Sequence, residues 1–349
     1  MRGSIAKISA LIFVVLVIVS ALAAWLIFSP VTTGSKKELH VLKIRTGTSF
    51  NKLIQQMNEQ KLLNHPFKFK LTAKLLGGQN RIKAGKYHIY GGVSSYRLLK
   101  MLVEGKVAME WVTIPEGKTA RQIASLLRKK LEIDSTRFMQ LVFDSSYARK
   151  LGLPATSLEG FLYPDTYGFY WGMKSEEIIP VLVNEFKKQF NDTLKARAKQ
   201  MGWSILEVVT LASIIEGEAM VDSERTLISA VYHNRLKKGM LLQADPTIQY
   251  IIPDGPRRLL NKDLEIDSPY NTYKYTGLPP GPINNPGIAS IKAALYPARV
   301  NYLYFVARGD GSHVFSTTLN EHLRAKAAFD RYRKEVERKK RARQNERKI

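Results

Sequence analysis

The sequence predicts an α+β protein in three parts: an N-terminal transmembrane helix, one or more small α+β modules, and a larger mixed α+β domain. Three observations predict it. Residues 8–28 carry no charge. Two related strand–turn–helix patterns follow. Beyond residue 150, helix-period segments give way to Pro/Gly turns and short strands.

The chain has 349 residues and formal net charge +24. That length suits two or three globular units. A hydrophobic content of 45% is ordinary for a folded protein. There is no cysteine, which excludes disulfides, thiolate catalysis and Cys-based zinc sites.

The first element is "ISALIFVVLVIVSALAAWLIF", Ile8 to Phe28. About 20 apolar residues cross a bilayer. Arg2 and Lys7 precede the run, so residues 1–7 are expected in the cytoplasm and everything after Ser29 outside. The competing reading is a cleaved signal peptide, with "SALAA" as the small-residue site. Trp25-Leu26-Ile27-Phe28 extends the apolar run past that point, and Trp25 suits an interfacial anchor. With the basic surface outside, nucleic acid is not an expected partner.

Residues 29–40 read as a linker, and 41–110 as a first small α+β region. In it Val41, Leu42 and Ile44 supply a strand, Gly47-Thr48 a turn, and Phe50, Leu53, Ile54 and Met57 recur at helical spacing. "IKAGKYHIYGGVSSYRLLKMLVEGK" continues as strand, turn and a helix ending at Gly105. The first pattern then returns over 111–145. Val112 and Ile114 form the strand, Glu116-Gly117 the turn, and Ile123, Ala124 and Leu127 the helix face. Gly47 aligns with Gly117 and Leu53 with Ile123, a duplicated unit too short for a solenoid.

The larger domain is placed at 150–325. "SLEGFLYPDTYGFYWGM" is dense in aromatics, which either pack a loop onto a core or stack on sugar rings; packing is the favoured reading. Helices are expected at 175–201, 204–217 and 223–238, with Gly239 closing the last. "LLQADPTIQYII" and later segments read as turns and short strands. Asp310-Gly311 marks a hairpin. Residues 326–349 form a basic tail, read as a solvated, fraying helix end rather than a docking site for anionic lipid or wall polymer.

Glu216 follows Ile215 at the end of a greasy helix. It shares a face with Val209, Ala212 and Ser213. A helix C-terminus and desolvation both push a carboxyl pKa upward, as a general acid requires. The competing reading is a helix-end Glu pairing with Arg225 or a lysine; Glu218 and Glu224 fit that description better. No metal is expected, since the six histidines lack HExxH or close carboxylate spacing. No cofactor is expected either: there is no P-loop, dinucleotide fingerprint or G-x-S-x-G. "GLPPGPINNPG" reads as a proline-stiffened loop that shapes a groove. Gln243, Asp245, Tyr270, Asn271, Thr272 and Tyr273 complete a polysaccharide-type inventory. A hydrolase would want a second carboxylate, Asp245 or Glu159.

"LEGFLYPDTY", "LASIIEGEA", "NRLKKGMLLQADPTIQY", "YNTYKYTGLPPGPINNPG" and "YLYFVARGDGSHVFSTTLNEH" occur in this order between about Ser157 and His322. Together they resemble the endolytic murein transglycosylases of the MltG (YceG-like) family. The resemblance implies a bacterial plasma-membrane (inner-membrane) enzyme that cuts peptidoglycan strands internally at the MurNAc–GlcNAc bond. It implies 1,6-anhydro-MurNAc ends, termination of nascent strands, a LysM-like module (best placed at 111–145) and association with peptidoglycan synthases. By this resemblance the catalytic glutamate is Glu216. Its nucleophile would be the sugar's own C6 hydroxyl, so one acid could suffice. Gly217 departs from the polar side chain the family usually carries there and predicts an early helix end. Two other functions are carried forward: a muramidase that hydrolyses with Glu216 and Asp245, and a non-catalytic peptidoglycan-binding scaffold.

Overall fold

The computed structural model describes residues 2–253 and 255–346. The chain divides into two compact units. The first comprises Met1–Val112, Lys130–Glu132 and Gly168–Met173; the second comprises Thr113–Lys129, Ile133–Tyr167 and Lys174–Ile349.

The first unit begins with helix α1 (Arg2–Phe28). Its Lys7–Phe28 stretch is long and apolar enough to cross a membrane, and none of it is buried in the protein. Strand β1 (Leu39–Ile44), helices α2 (Phe50–Glu59) and α3 (Pro66–Leu75), strand β2 (Gly85–Tyr90) and helix α4 (Ser95–Glu104) follow. β1 and β2 pair antiparallel, Leu39 opposite Tyr90 and Ile44 opposite Gly85. The period of two sends Leu42, Ile44, Tyr87 and Ile89 inward onto Leu53, Met57, Phe69 and Leu98. Ser49 caps α2 by accepting from the Lys52 amide, and Gly105 closes α4 in the left-handed region. Helix α3 was not expected from the sequence. Pro66 at its first turn starts it, since proline there gives up no intrahelical bond.

The last turn of α1 is tied to α3. Lys68 is buried, and its ammonium donates to the Ser29 and Pro30 carbonyls at 3.1 and 3.2 Å. It also lies 4.7 Å from the Trp25 ring centroid. A cation at a helix C-terminus meets the negative end of the dipole. Thr72 donates to the Leu26 carbonyl at 3.4 Å, and Phe28 lies against Tyr96 with centroids 5.7 Å apart.

Strand β3 (Met109–Thr113) pairs with the later strand β4 (Thr166–Tyr170). Between them run α5 (Ala120–Leu131), α6 (Ser135–Val142) and α7 (Ser145–Lys150). Gly47 and Gly117 both take positive φ, and Leu53 and Ile123 are both buried, so the two strand–turn–helix copies share their turn and their inward residue. The second copy is not a separate module, however. Most of it belongs to the second unit, because the Gly117 and Asn285 backbones and the Lys118 carbonyl bond to one another.

The second unit continues with α8 (Ser175–Gln189), α9 (Asp192–Gln200), α10 (Ile205–Glu218), α11 (Arg225–Lys237), α12 (Asp245–Ile251) and α13 (Ile288–Leu295). The expected helix over 175–201 is two, because Asn191 caps a new start. The expected short strand at "LLQADPTIQYII" is helix α12, with Pro246 in its first turn. Hairpin strands β5 (Tyr304–Ala307) and β6 (His313–Ser316) pair antiparallel, and α14 (Leu319–Glu346) carries the tail as one helix. Residues 347–349 lie outside the described residues.

α10 is the central helix. A Ser204–Glu207 capping box starts it, and Val208, Val209, Leu211, Ala212, Ile214 and Ile215 are all inaccessible to solvent. The aromatic segment packs inward as favoured: Phe161, Tyr163, Tyr167 and Phe169 are buried, with Phe161 edge-on to Phe186. Gly160 has φ +87°, and a Cβ there would fall 2.4 Å from Pro282 Cγ and 2.9 Å from Val209 Cγ1. Gly160→Ala is therefore expected to destabilise the protein by about 2–4 kcal/mol, measured as a lowered denaturant midpoint.

Candidate active site

Residues two apart on a helix point to nearly opposite sides. Glu216 and Glu218 therefore face different surroundings, although both are half-buried residues.

Glu216 is enclosed by protein. Its side chain is 7% exposed and lies 3.3 Å from Arg225 Nη1, itself 10% exposed. Its Oε2 accepts from the Gly287 amide at the start of α13. Arg225 also donates to Ser290 and to Asp222. Glu116 lies close by; burial raises its carboxyl pKa, and the Glu216 charge adds to the effect. The apolar and small residues on the Glu216 face are roofed by the 281–287 strap. There the Ile283 amide donates to Ser213 Oγ, and Asn284 donates to the Ser213 carbonyl. Glu216 thus occupies the Arg225-paired arrangement that had seemed to suit its neighbours.

Glu218 is the last residue of α10, which runs on through Gly217. The early stop expected at Gly217 does not occur; the missing side chain instead leaves room for Pro246, whose Cβ would be 2.7 Å from a Cβ there. Glu218 helps line a cleft of about 550 Å³ with Arg235, Gln243, Asp245, Tyr273 and His322, its carboxyl itself buried. Burial pushes its pKa up to about 7. The nearby Asp245 charge works in the same direction, while a 2.9 Å hydrogen bond from the Tyr232 hydroxyl works against it. Burial, then the Glu218 charge, raises the Tyr232 phenol in turn, so that hydroxyl stays a donor.

Around this acid the cleft is rigidly built. Arg235 is buried on α11 one turn from Tyr232. It donates to the Leu303 and Leu242 carbonyls and stacks 5.2 Å from the Tyr304 ring. Asp245 accepts from the Tyr273 hydroxyl. Gln243 is held at φ 52°, its amide bonded to the Thr272 carbonyl. His322 stacks on Tyr304, and its Nδ1 is buried with no hydrogen-bond partner among the described residues. Glu224, the third glutamate of the region, accepts from His313 at 2.8 Å.

Of the residues singled out in the sequence, Gln243, Asp245 and Tyr273 line the cleft. The others serve the scaffold. Asn271 is fully buried and donates to the Leu264 and Ile266 carbonyls. Thr272 accepts from the Ala244 amide. Tyr270 packs on Tyr250, 5.2 Å between centroids. Glu159 is 2% exposed and accepts from the Ala120 amide and from Asn285 Nδ2, both at 2.9 Å. The Gly/Pro-rich strap is buried from Gly281 to Gly287 and does not line the cleft. Glu218, Arg235, Tyr304 and His322, which also line the cleft, and Tyr232, which holds Glu218, were not among the candidate residues. The i, i+3 spacing of Tyr232 and Arg235, together with Glu218 opposite Glu216, was the available signal. No group of His, Asp and Glu suited to a metal occurs among the described residues.

A family model described as the YceG-like family matches residues 42–328. The endolytic murein transglycosylase of Bacillus subtilis (strain 168) is 34% identical over 319 residues, covering 87% of this chain and 88% of that protein. Its counterpart in Streptococcus pneumoniae serotype 2 (strain D39 / NCTC 7466) is 29% identical over 312 residues, which are 80% of this chain and 56% of the longer relative. A crystal structure of a YceG-like protein from Listeria monocytogenes aligns with TM-score 0.58 and 33% identity, covering 83% of this chain and 99% of that one. A match of this extent, joined to a relative of this identity, means that the chain belongs to the YceG-like family.

Proposed function

We propose that this protein is a membrane-anchored endolytic murein transglycosylase whose acid is Glu218 rather than Glu216. The observation that carries the assignment is the placement of Glu218 in the cleft lining beside Arg235, Gln243 and Asp245, its carboxyl held by the Tyr232 hydroxyl and raised to about 7 by burial. Glu216 is closed off behind Arg225. A glycan strand would lie in the cleft with a MurNAc–GlcNAc bond at Glu218. The protonated carboxyl gives its proton to the leaving glycosidic oxygen as the C1–O bond breaks. The MurNAc C6 hydroxyl then bonds to C1, and its proton passes to the Glu218 carboxylate. Water is not consumed, the acid is regenerated, and a 1,6-anhydro end remains. A pKa near the working pH serves both directions of transfer. Tyr232 steadies the carboxylate between them.

Peptidoglycan as substrate follows from the names of the relatives. The single-pass topology, with the N-terminus in the cytoplasm, is supported by α1 and its flanking Arg2 and Lys7. Strand termination and contact with peptidoglycan synthases rest on the family resemblance alone. A LysM-like role fits Leu39–Tyr90 better than 111–145, because the former closes a strand–helix–helix–strand core of its own.

Asp245 beside Glu218 supports a second reading, a hydrolytic muramidase with Asp245 as partner carboxylate. Digestion of purified peptidoglycan by the full chain in detergent, read by mass, separates the two. Anhydro-MurNAc ends are expected. Reducing ends carrying an added water would favour hydrolysis. Binding without cleavage would leave a scaffold.

A further inference from the structure

Helix α3 carries an apolar stripe that is exposed at both ends and half-buried at Leu71. Phe67, Leu71 and Leu75 follow one another at i, i+4 and i+8, on one side of the helix. Phe67 is 77% exposed and Leu75 61%, and Leu76 beyond the helix end is exposed too. Lys70 and Lys74, both exposed, border one edge of the stripe. The opposite side of the same helix is fully used: Lys68, Phe69, Thr72 and Ala73 are buried.

The position of α3 along α1 says what covers the stripe. Thr72 reaches the Leu26 carbonyl, while Lys68 reaches Ser29 and the Trp25 ring. The middle of α3 therefore sits level with the last turn of α1, within about one 5.4 Å helical pitch of its end. If α1 spans a bilayer, that level is the headgroup region. Trp25 and Phe28 lie at the same depth and are likewise exposed. At that level the exposed apolar side chains can seat among acyl chains, and the lysines at the stripe's edge suit anionic headgroups.

We propose that α3 is an interfacial membrane helix, with Phe67, Leu71 and Leu75 seated among the outer-leaflet lipids beside the end of α1. This rests on reading α1 as a membrane span. The first unit then has two attachments to the bilayer, joined rigidly through Lys68, rather than hanging from a flexible tether.

The chain has no cysteine, so single Phe67→Cys, Leu75→Cys and Phe13→Cys variants each take one fluorescent label. The full chain is reconstituted in vesicles of phosphatidylethanolamine and phosphatidylglycerol containing lipids brominated either near the headgroup or deep in the tail. Labels at 67 and 75 are expected to lose emission to the shallow quencher more than to the deep one and to resist aqueous iodide. The label at 13 is expected to respond to the deep quencher. Quenching at 13 without quenching at 67 and 75 overturns the proposal while leaving the span intact. Shielding of 67 and 75 from iodide without lipid quenching also overturns it, and assigns the stripe to a protein contact. Absence of quenching at 13 removes the span and the proposal with it.

Discussion

Glu218→Gln is expected to lower glycan cleavage by a factor on the order of 10³, the usual share of a positioned general acid. The amide keeps the shape and still accepts from the Tyr232 hydroxyl, so the fold should be retained and its melting curve unchanged or slightly raised. Glu216→Gln is expected to do the reverse. Its amide can still accept from the Gly287 amide, but the charge facing Arg225 is gone. Arg225 keeps Asp222 and Ser290 as partners, so the loss of stability should be about 1–3 kcal/mol, and cleavage should persist in the folded protein. The pH dependence gives a second readout. The acid must be protonated, and its pKa is about 7; the wild-type rate should therefore fall as pH rises above that value. Anhydro-ended products quantified beside thermal melts decide between the two glutamates. Cleavage by folded Glu218→Gln and none by folded Glu216→Gln would return the acid to Glu216.

Glu159→Gln is expected to change how stability varies with pH. Burial raises the Glu159 carboxyl from 4.5 to about 8, against hydrogen bonds from Ala120 and Asn285 that favour the charged form. Between those two values the folded chain holds a proton that the unfolded chain releases. Stability must therefore fall as pH rises through that window. By pH 7 the loss is on the order of 3 kcal/mol. Glutamine has no proton to hold and can accept the same two hydrogen bonds, so its variant should show no such decline. Denaturant midpoints at pH 5, 6.5 and 8 should converge at the acid end and separate at the alkaline end, the variant being more stable. Parallel curves would show that Glu159 does not titrate in this window.

Local structure was largely legible in the sequence. The apolar run of α1, the Gly47 and Gly117 turns, the Gly105 and Gly239 helix ends and the Asp310-Gly311 hairpin each depend on neighbouring residues. The helices α3 and α12 were obscured for a local reason as well: each starts on a proline that can be read as a turn. The site was legible by composition and less so by orientation. Glu216 and Glu218 stand on one helix with buried residues on every side, so periodicity could not say which face was roofed. The roof comes from residues 281–287, far along the chain. Asn271 and Thr272 belong to the right region, yet they hold backbone groups of their own loop, a distinction that only tertiary packing makes. Glu159 has the chemistry of a second catalytic carboxylate but is enclosed where α5 begins.

Asn285 is the clip of the second unit. Its side chain donates to the Lys118 carbonyl, 167 residues away, and to Glu159, 126 residues away, and it accepts from the Leu162 amide, 123 residues away. Together with the Asn284 bond to the Ser213 carbonyl, it holds the carboxy-terminal third against the middle of the chain. Under the topology proposed above, the amino end stays in the cytoplasm and the chain beyond α1 crosses the membrane in sequence order. α10 and its glutamates would then emerge well before the strap that secures them. Contacts of such separation form late and slowly. A glycan-cutting enzyme threaded outward in this order has no assembled site until its export is nearly complete, so the order of emergence itself delays the onset of activity against the wall.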